Sequence, residues 1–315
     1  SFITVYVTNY LVKKHGGFTG ALFLELIVTM GLFSFILTIL ALIGIAQKDQ
    51  PEFYEVGKKD TSYRFRDIFT IVKGNRAIQM LVLAASTDKL GMMIMSNATV
   101  GVMLYGIVMG NYDLLGLLST ITIIPSIILI WIGTAVASRY SLKKSMVVFT
   151  WINIGFAVAL ALLLILGDPT KISLTNFNFM TAAYIVLYVM MRASGVSGGI
   201  ATPMIADCAD YELYLSGKYA PALMGTVFGF FDKTVSAFAS TIVGYCVIAI
   251  GFKEQFPQIG DPYTPAIFWM SLFLFLGIPI LGWIATLIAM KFYPLDQEKM
   301  IEVQAKIANM KKENA

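Results

Sequence analysis

Apolar residues fill this chain in long unbroken runs, not in the alternating or three-to-four spacing of half-buried elements, and the runs set its plan. Seven of them, at 18–46, 77–109, 114–137, 146–167, 177–206, 221–251 and 265–292, are long enough for a membrane helix, which needs about 18 to 20 residues to cross roughly 30 Å of hydrocarbon. An eighth, SFITVYVTNYLV at 1–12, is too short to span alone and reads as the end of a longer helix. The expected fold class is an all-α membrane protein. The longest polar connection, 47–76, holds Pro51 and ends in RFRDIFTIVKGNRAIQ, where Phe65, Ile68, Phe69 and Val72 share one helical face and Arg64, Asp67 and Lys73 another. It predicts a linker with a short amphipathic helix lying on the membrane surface, the plainer alternative being a basic tether. The expected domains are a remnant of a first bundle (1–46), this linker (47–76), a six-span bundle (77–292) and a polar tail (293–315).

Composition agrees: 57% of the 315 residues are hydrophobic and 13% charged, about half the charged share of a soluble domain. The net charge of +4 matters less than where the cations fall. Alternate connections and the tail carry Lys48, Lys58, Lys59, Arg64, Arg66, Lys73 and Arg76, then Arg139, Lys143 and Lys144, then Lys218, then Lys291, Lys299, Lys306, Lys311 and Lys312; the opposite side has Lys13, Lys14, Lys171 and Lys253. Cytoplasmic loops collect Lys and Arg. The tail is therefore expected in the cytoplasm, with 1–12, 77–109, 146–167 and 221–251 running outward through a cell (inner) membrane. Cys208 and Cys246 have neither disulfide-framework nor metal spacing, and His15 is the one histidine. No cofactor, metal or nucleic-acid partner is implied, and Cys208 is expected to react from the cytoplasmic side.

Charges inside the spans carry the most information. LVLAASTDKLGMMIMSN places Asp88 and Lys89 mid-run, VFGFFDKTVSAFASTIVG does the same with Asp232 and Lys233, and the 177–206 span holds Arg192. Successive helical residues point about 100° apart, so neither Asp-Lys pair readily closes on itself and each charge needs a partner elsewhere. An ionisable residue at mid-bilayer costs roughly 2.5 to 3.5 kcal/mol even on the lenient scale, so these spans should face a polar interior. Lys89 and Lys233 each lie roughly 18 Å into their spans at 1.5 Å per residue. Asp88 is the expected partner of Lys233, a carboxylate outside the six-span bundle its rival. Gly195 and Gly199, and Ser236, Ser240 and Gly244, read as small-residue stripes for close packing, and with Pro203 as a point of flexing.

The end of the 177–206 span, MIADCADYELYLSGK, clusters Asp207, Asp210 and Glu212 with Tyr211 and Tyr214. Opposite the basic SRYSLKKS loop, with Arg139, Lys143 and Lys144, these acids suit salt bridges that hold a cytoplasmic gate shut; a solvated helix end is the bland alternative. IADCADYELYLSGK, the lysine-bearing FDKTVSAFAS after it, and the ending KFYPLDQEKM together resemble the glycoside-pentoside-hexuronide:cation symporters, the melibiose-permease-like branch of the major facilitator superfamily. The resemblance runs the length of the chain. It implies a twelve-helix fold of which this chain is the end of helix 5 through helix 12, with a central cavity faced by 77–109, 114–137, 177–206 and 221–251. It implies secondary active transport: symport of a sugar or glycoside coupled to Na+ or H+, by a monomer in the lipid bilayer. The main cation ligands would lie in the first half of the fold. Lys233 matches the lysine near the cation and sugar sites, and Asp207 and Asp210 match the cytoplasmic motif. Asp88, Lys89, Arg192 and Asp232 are nominated by charge and depth, and Tyr105, Tyr184 and Tyr188 as aromatic surfaces for a sugar ring. A lipid or amphiphile carrier on the same fold, and a membrane enzyme using Asp207 and Asp210 as its acids, are the other readings.

Overall fold

The computed structural model describes residues 11–15, 20–46, 72–195, 197–217 and 219–313, and all the regular structure among them is helical. The amphipathic helix expected within 47–76 lies almost wholly outside the described residues, as does nearly all of 1–12. The chain divides into two compact units, Ser1–Thr61 and Ser62–Ala315.

The first unit is built on α1 (Gly20–Ile45), a span whose large apolar side chains, among them Phe23, Leu24, Ile27 and Phe35, are exposed along its length as lipid or helix contact requires. Near its start Glu25 takes both Lys14 Nζ and His15 Nε2 at 2.7 Å.

The second unit is a helical bundle. Its elements are α2 (Arg76–Met95), α3 (Ala98–Val108), α4 (Asp113–Arg139), α5 (Leu142–Leu166), α6 (Phe179–Ala193), α7 (Ser197–Ser216), α8 (Pro221–Ala249), α9 (Pro265–Phe292) and α10 (Gln297–Glu313). Starts are specified locally. Asn75, Ser141, Asn178 and Thr264 each accept a backbone N–H of the first turn, and Pro221 and Pro265 open their helices where no N–H donor is needed.

Two of the six expected spans are broken. The 77–109 run stops at Ser96-Asn97, where Asn97 is extended and its side chain accepts Thr99 N–H, starting α3 afresh. The 177–206 run stops at Ser194-Gly195, after which α7 begins and continues through Pro203. Ser and Asn compete for backbone groups and so favour caps over helix interiors. α3 widens to π geometry over Val102–Val108, and α9 does so over Phe273–Gly277.

Two apolar cores stack along the bundle. One joins α3, the second half of α5, α6, the end of α8 and the first half of α9; the other joins the starts of α2, α5 and α8 to α7 and the end of α9. α2 sits against α7, α8 and α9, and its contact with α9 is the most extensive in the bundle. A Cβ on Gly282 would stand 2.5 Å from the Thr87 carbonyl oxygen, and one on Gly91 2.8 Å from Pro279 Cα. Thr286 Oγ1 donates across the same seam to Ala84 O at 3.0 Å. The stripes singled out in the sequence behave otherwise, because a Cβ on Gly199 or Gly244 would meet nothing within 4 Å.

Replacing Gly282 with Ala should therefore force α2 and α9 apart and cost about 1–3 kcal/mol, as overpacking does. Gly199→Ala should cost little. Thermal unfolding in detergent reads both, and equal melting temperatures for the two variants would contradict the close seam.

Candidate functional site

The charged side chains in the middle of the helices gather between the two cores. On α2, Ala84 belongs to one core and Ile94 to the other, and Thr87, Asp88 and Lys89 lie between; on α8, Asp232 and Lys233 fall between Val227 and Ala239. On α5 Asn153 lies between Phe149 and Ala157, and Arg192, Ser194 and Gly195 separate Met191 of α6 from Ile200 of α7.

The adjacent charges find partners on other helices. Lys89 Nζ pairs with Asp232 Oδ1 at 3.5 Å, joining α2 to α8, with about a quarter to a third of each side chain exposed. Asp88, a turn-position away, faces α9, where its Oδ1 accepts the indole N–H of Trp283 at 2.8 Å. Lys233 is exposed and makes no ion pair among the described residues. The expected Asp88–Lys233 pairing is thus replaced by a crossed arrangement, because Asp88 points at α9 and Lys89 at α8.

Asp88 also lines a cavity of about 90 Å³ with Met92 and Met95 of α2, Asn153 of α5, Met191, Arg192 and Gly195 at the end of α6, and Pro279 and Trp283 of α9. Arg192 Nη1 lies 3.4 Å from Met95 Sδ. Asn153 is 1% exposed and its Oδ1 has no hydrogen-bond partner among the described residues.

Beyond the cavity the nominated tyrosines form an aromatic core. Tyr184 Oη donates to Tyr105 Oη at 2.9 Å, Tyr188 stacks on Tyr184 and on Phe275, and Tyr105 meets Phe275 edge-on. Both π segments contribute, Tyr105 from α3 and Phe275 from α9. Tyr105 and Tyr184 are fully buried, so in this arrangement their rings are packed on one another and on Phe275.

At the other end of the bundle the acids and bases of the expected gate take separate partners. Glu212 is buried and accepts Asn75 Nδ2 at 3.0 Å, and the same amide donates to Cys208 O. Asp210 accepts Gln304 Nε2 of α10 at 2.7 Å, with Asp207 half-buried nearby. Tyr211 stacks on Tyr214, whose hydroxyl donates to Glu302 and whose ring lies under the Lys299 and Lys306 ammoniums. The Glu302 carboxylate holds Lys299 above the ordinary lysine range, and Lys299 holds Glu302 below the ordinary carboxylate range. On the opposite side Lys143 Nζ donates to Tyr293 O at 2.6 Å, and Lys144 and Arg139 sit over the Tyr140 ring. Among the described residues no ion pair joins Arg139, Lys143 or Lys144 to Asp207, Asp210 or Glu212, since the acids turn toward α10 and Asn75.

A helical bundle with helices long and apolar enough to cross a membrane and charges at mid-height fits a membrane carrier, and the profile of the family described as MFS/sugar transport protein matches residues 10–297. The chain belongs to that family. Comparison with curated proteins returns no match. Membership makes this MFS protein an integral membrane transporter of a small-molecule sugar, and points to transport over catalysis.

Several features escaped the sequence reading. Asn153 is one amide in an otherwise apolar run and was passed over because it carries no charge. Glu25, an acid near the start of α1, is held by Lys14 and His15. Trp283 lies on a span without charges, although a buried indole N–H always needs an acceptor. Cys208, expected to be reactive, is completely buried with its Sγ 3.8 Å from Tyr293 Oη.

Two outcomes follow for the MFS protein. Cys208 should resist maleimide in the folded state while half-buried Cys246 reacts slowly, and rapid labelling of Cys208 under native conditions would contradict its packing. Asp232→Asn should strand the Lys89 ammonium and destabilise the protein by about 1–3 kcal/mol, a figure below the fully buried case because both side chains are partly exposed. Lys89→Met added to Asp232→Asn should recover part of that loss, and a double-mutant cycle with no coupling would mean that the pair does not form.

Proposed function

We propose that the chain forms the second-half bundle of a cation-coupled symporter of the glycoside-pentoside-hexuronide type, which moves a sugar or glycoside with Na+ or H+ by alternating access. One observation carries the reading. Lys233 projects from the mid-height of α8 with no ion pair among the described residues, while its neighbour Asp232 is committed to Lys89. An ammonium at that depth needs water, substrate oxygens or a carboxylate from outside the bundle. That is the requirement for a lysine at the wall of a central cavity, and the resemblance places a lysine there beside the cation and sugar sites.

In this reading Lys233 donates hydrogen bonds to sugar hydroxyls or cation-binding carboxylates, so that loading one ligand alters affinity for the other. Lys89, held by Asp232, fixes α2 and α8 as walls of the cavity. The acid rim of α7, with Asp207, Asp210, Tyr211 and Glu212, works as a cytoplasmic gate whose contacts run through α10. The Lys and Arg distribution puts α10 in the cytoplasm and the protein, as a monomer, in the cell (inner) membrane.

Lys233→Ala in the intact transporter should reduce cation-driven sugar accumulation to the equilibrium level while leaving the protein in the membrane at normal abundance. Uptake of labelled sugar against its gradient, with and without a sodium or proton gradient, measures it. Accumulation that survives Lys233→Ala would remove Lys233 from the site.

A further inference from the structure

We propose that the end of the bundle where α5 begins and α9 finishes is a docking surface for an anionic phospholipid, its phosphate held by a row of cations and its acyl chains lying on the apolar stripes beneath them. Nothing in this depends on which solute is carried, only on the bundle lying in a membrane.

Contacts string the cations into one row. Lys143 Nζ donates to Tyr293 O at 2.6 Å, which ties the start of α5 to the end of α9. From there the row runs one way to Arg76 at the start of α2, whose guanidinium lies 5.5 Å over the Phe292 ring. It runs the other way to Lys144 and Arg139, which stand 4.0 and 5.9 Å over the Tyr140 ring. Lys291 precedes Phe292 and is exposed, as are Arg76, Arg139 and Lys144. None of these five cations makes an ion pair with an acid among the described residues, and the stretches 76–83, 139–148 and 284–293 contain no Asp or Glu. Lys143 spends one N–H on Tyr293 and keeps two. The lysines of α10 differ, because Lys299 is taken by Glu302 and Lys306 by the Tyr214 carbonyl. A row of uncompensated cations calls for an anion.

The surface beneath the row selects a lipid. On α5, Lys144, Val148 and Trp151 are all exposed, and their spacing of four and then three residues puts them on one face. On α9, Ile284, Ile288 and Lys291 do the same. Each of these neighbouring helices thus carries an exposed apolar stripe that ends in a lysine at the same end of the bundle. At 1.5 Å per residue Trp151 lies roughly 10 Å below Lys144, where the upper acyl chain of a lipid lies below its phosphate. A free phosphate or an acidic protein would use the cations and leave the stripes idle, whereas a phospholipid uses both. Tyr140, 42% exposed, stands among the cations, at the level where amphipathic rings meet headgroups. The Lys and Arg distribution assigns this end to the cytoplasmic leaflet, whose anionic lipids attract basic clusters beside membrane helices.

For the test, the purified chain is mixed in mild detergent with equal amounts of phosphatidylglycerol and phosphatidylcholine of matched acyl chains, and native mass spectrometry reads the ratio of the two bound forms. Phosphatidylglycerol should be retained in preference and saturably. Lys144→Gln with Lys291→Gln should cut that preference roughly 10- to 30-fold, at about fivefold for each cation removed from a surface that meets anionic lipid. Lys299→Gln with Lys306→Gln removes the same charge from committed lysines and should change the preference by less than about threefold on the same scale. Lys144→Arg with Lys291→Arg keeps the charge and should keep the preference. No preference in the unaltered chain, an unchanged one in the first glutamine pair, an equal loss in both glutamine pairs, or a loss in the arginine pair overturns the site. Soluble glycerophosphoglycerol at the lipid's concentration should displace none of the bound lipid. Displacement as effective as that by added phosphatidylglycerol would mean that the stripes take no part, and it too overturns the proposal.

Discussion

A charge inside an apolar bundle has to be held by something polar, and that constraint arranges the rest of this structure. Asp88 and Lys89 of α2, Asn153 of α5, Arg192 of α6 and Asp232 and Lys233 of α8 fall in the interval where one apolar core stops and the other begins. Each core is then packed mainly from Leu, Ile, Met and aromatic residues, and the Tyr184 and Tyr105 hydroxyls inside one of them bond to each other. The layer between them has its own connections: Lys89 to Asp232, Asp88 to Trp283, and Thr286 to the α2 backbone.

The layer also explains where the helices approach and where they break. Trp283 reaches Asp88 at 2.8 Å because α9 lies almost against the α2 backbone, and that approach is possible only with Gly91 and Gly282 on the facing surfaces. The breaks at Ser96-Asn97 and Ser194-Gly195 border the same layer. A helix interrupted there leaves last-turn carbonyls to be satisfied. Some are taken locally, as Met92 O accepts Ser96 N–H and Met190 O accepts Ser194 N–H. Interruption is tolerated at membrane depth where the freed backbone is buried in protein or borders a polar cavity, and here it borders the Asp88 cavity.

Much of this was legible in the chain itself. Unbroken apolar runs located the spans, and Asp88, Lys89, Arg192, Asp232 and Lys233 stood out as charges at depth. Helical geometry correctly denied each Asp-Lys neighbour pair a bond with itself. The partners were not legible, because periodicity tells which residues share a face and says nothing of which helix lies opposite. Asp88 was therefore assigned to Lys233 by depth alone, although the face of α2 that carries it meets α9. Small-residue spacing had the same weakness: Gly195 and Gly199 have it without a close neighbour helix, while Gly91 and Gly282, which do the work on two different helices, form no motif within one segment. The breaks were hidden because Ser96-Asn97 and Ser194-Gly195 barely alter the hydropathy of such long runs, yet at each of them one helix ends and another follows.

Under the proposed function, adjacent Asp232 and Lys233 serve the bundle and the solute at once. A step of one residue turns the side chain by about 100° around the helix. Asp232 consequently faces α2, where it is partly buried on Lys89, and Lys233 faces out of the bundle, exposed. The acid lowers the cost of placing a basic residue on α2, and the base beside it remains uncommitted within the bundle. Interchanging the two residues would point a cation at Lys89, where like charges repel, and leave a carboxylate facing outward. The order Asp then Lys on α8 thus suits the lysine on α2, and it leaves Lys233 on the exposed face as the pair closes.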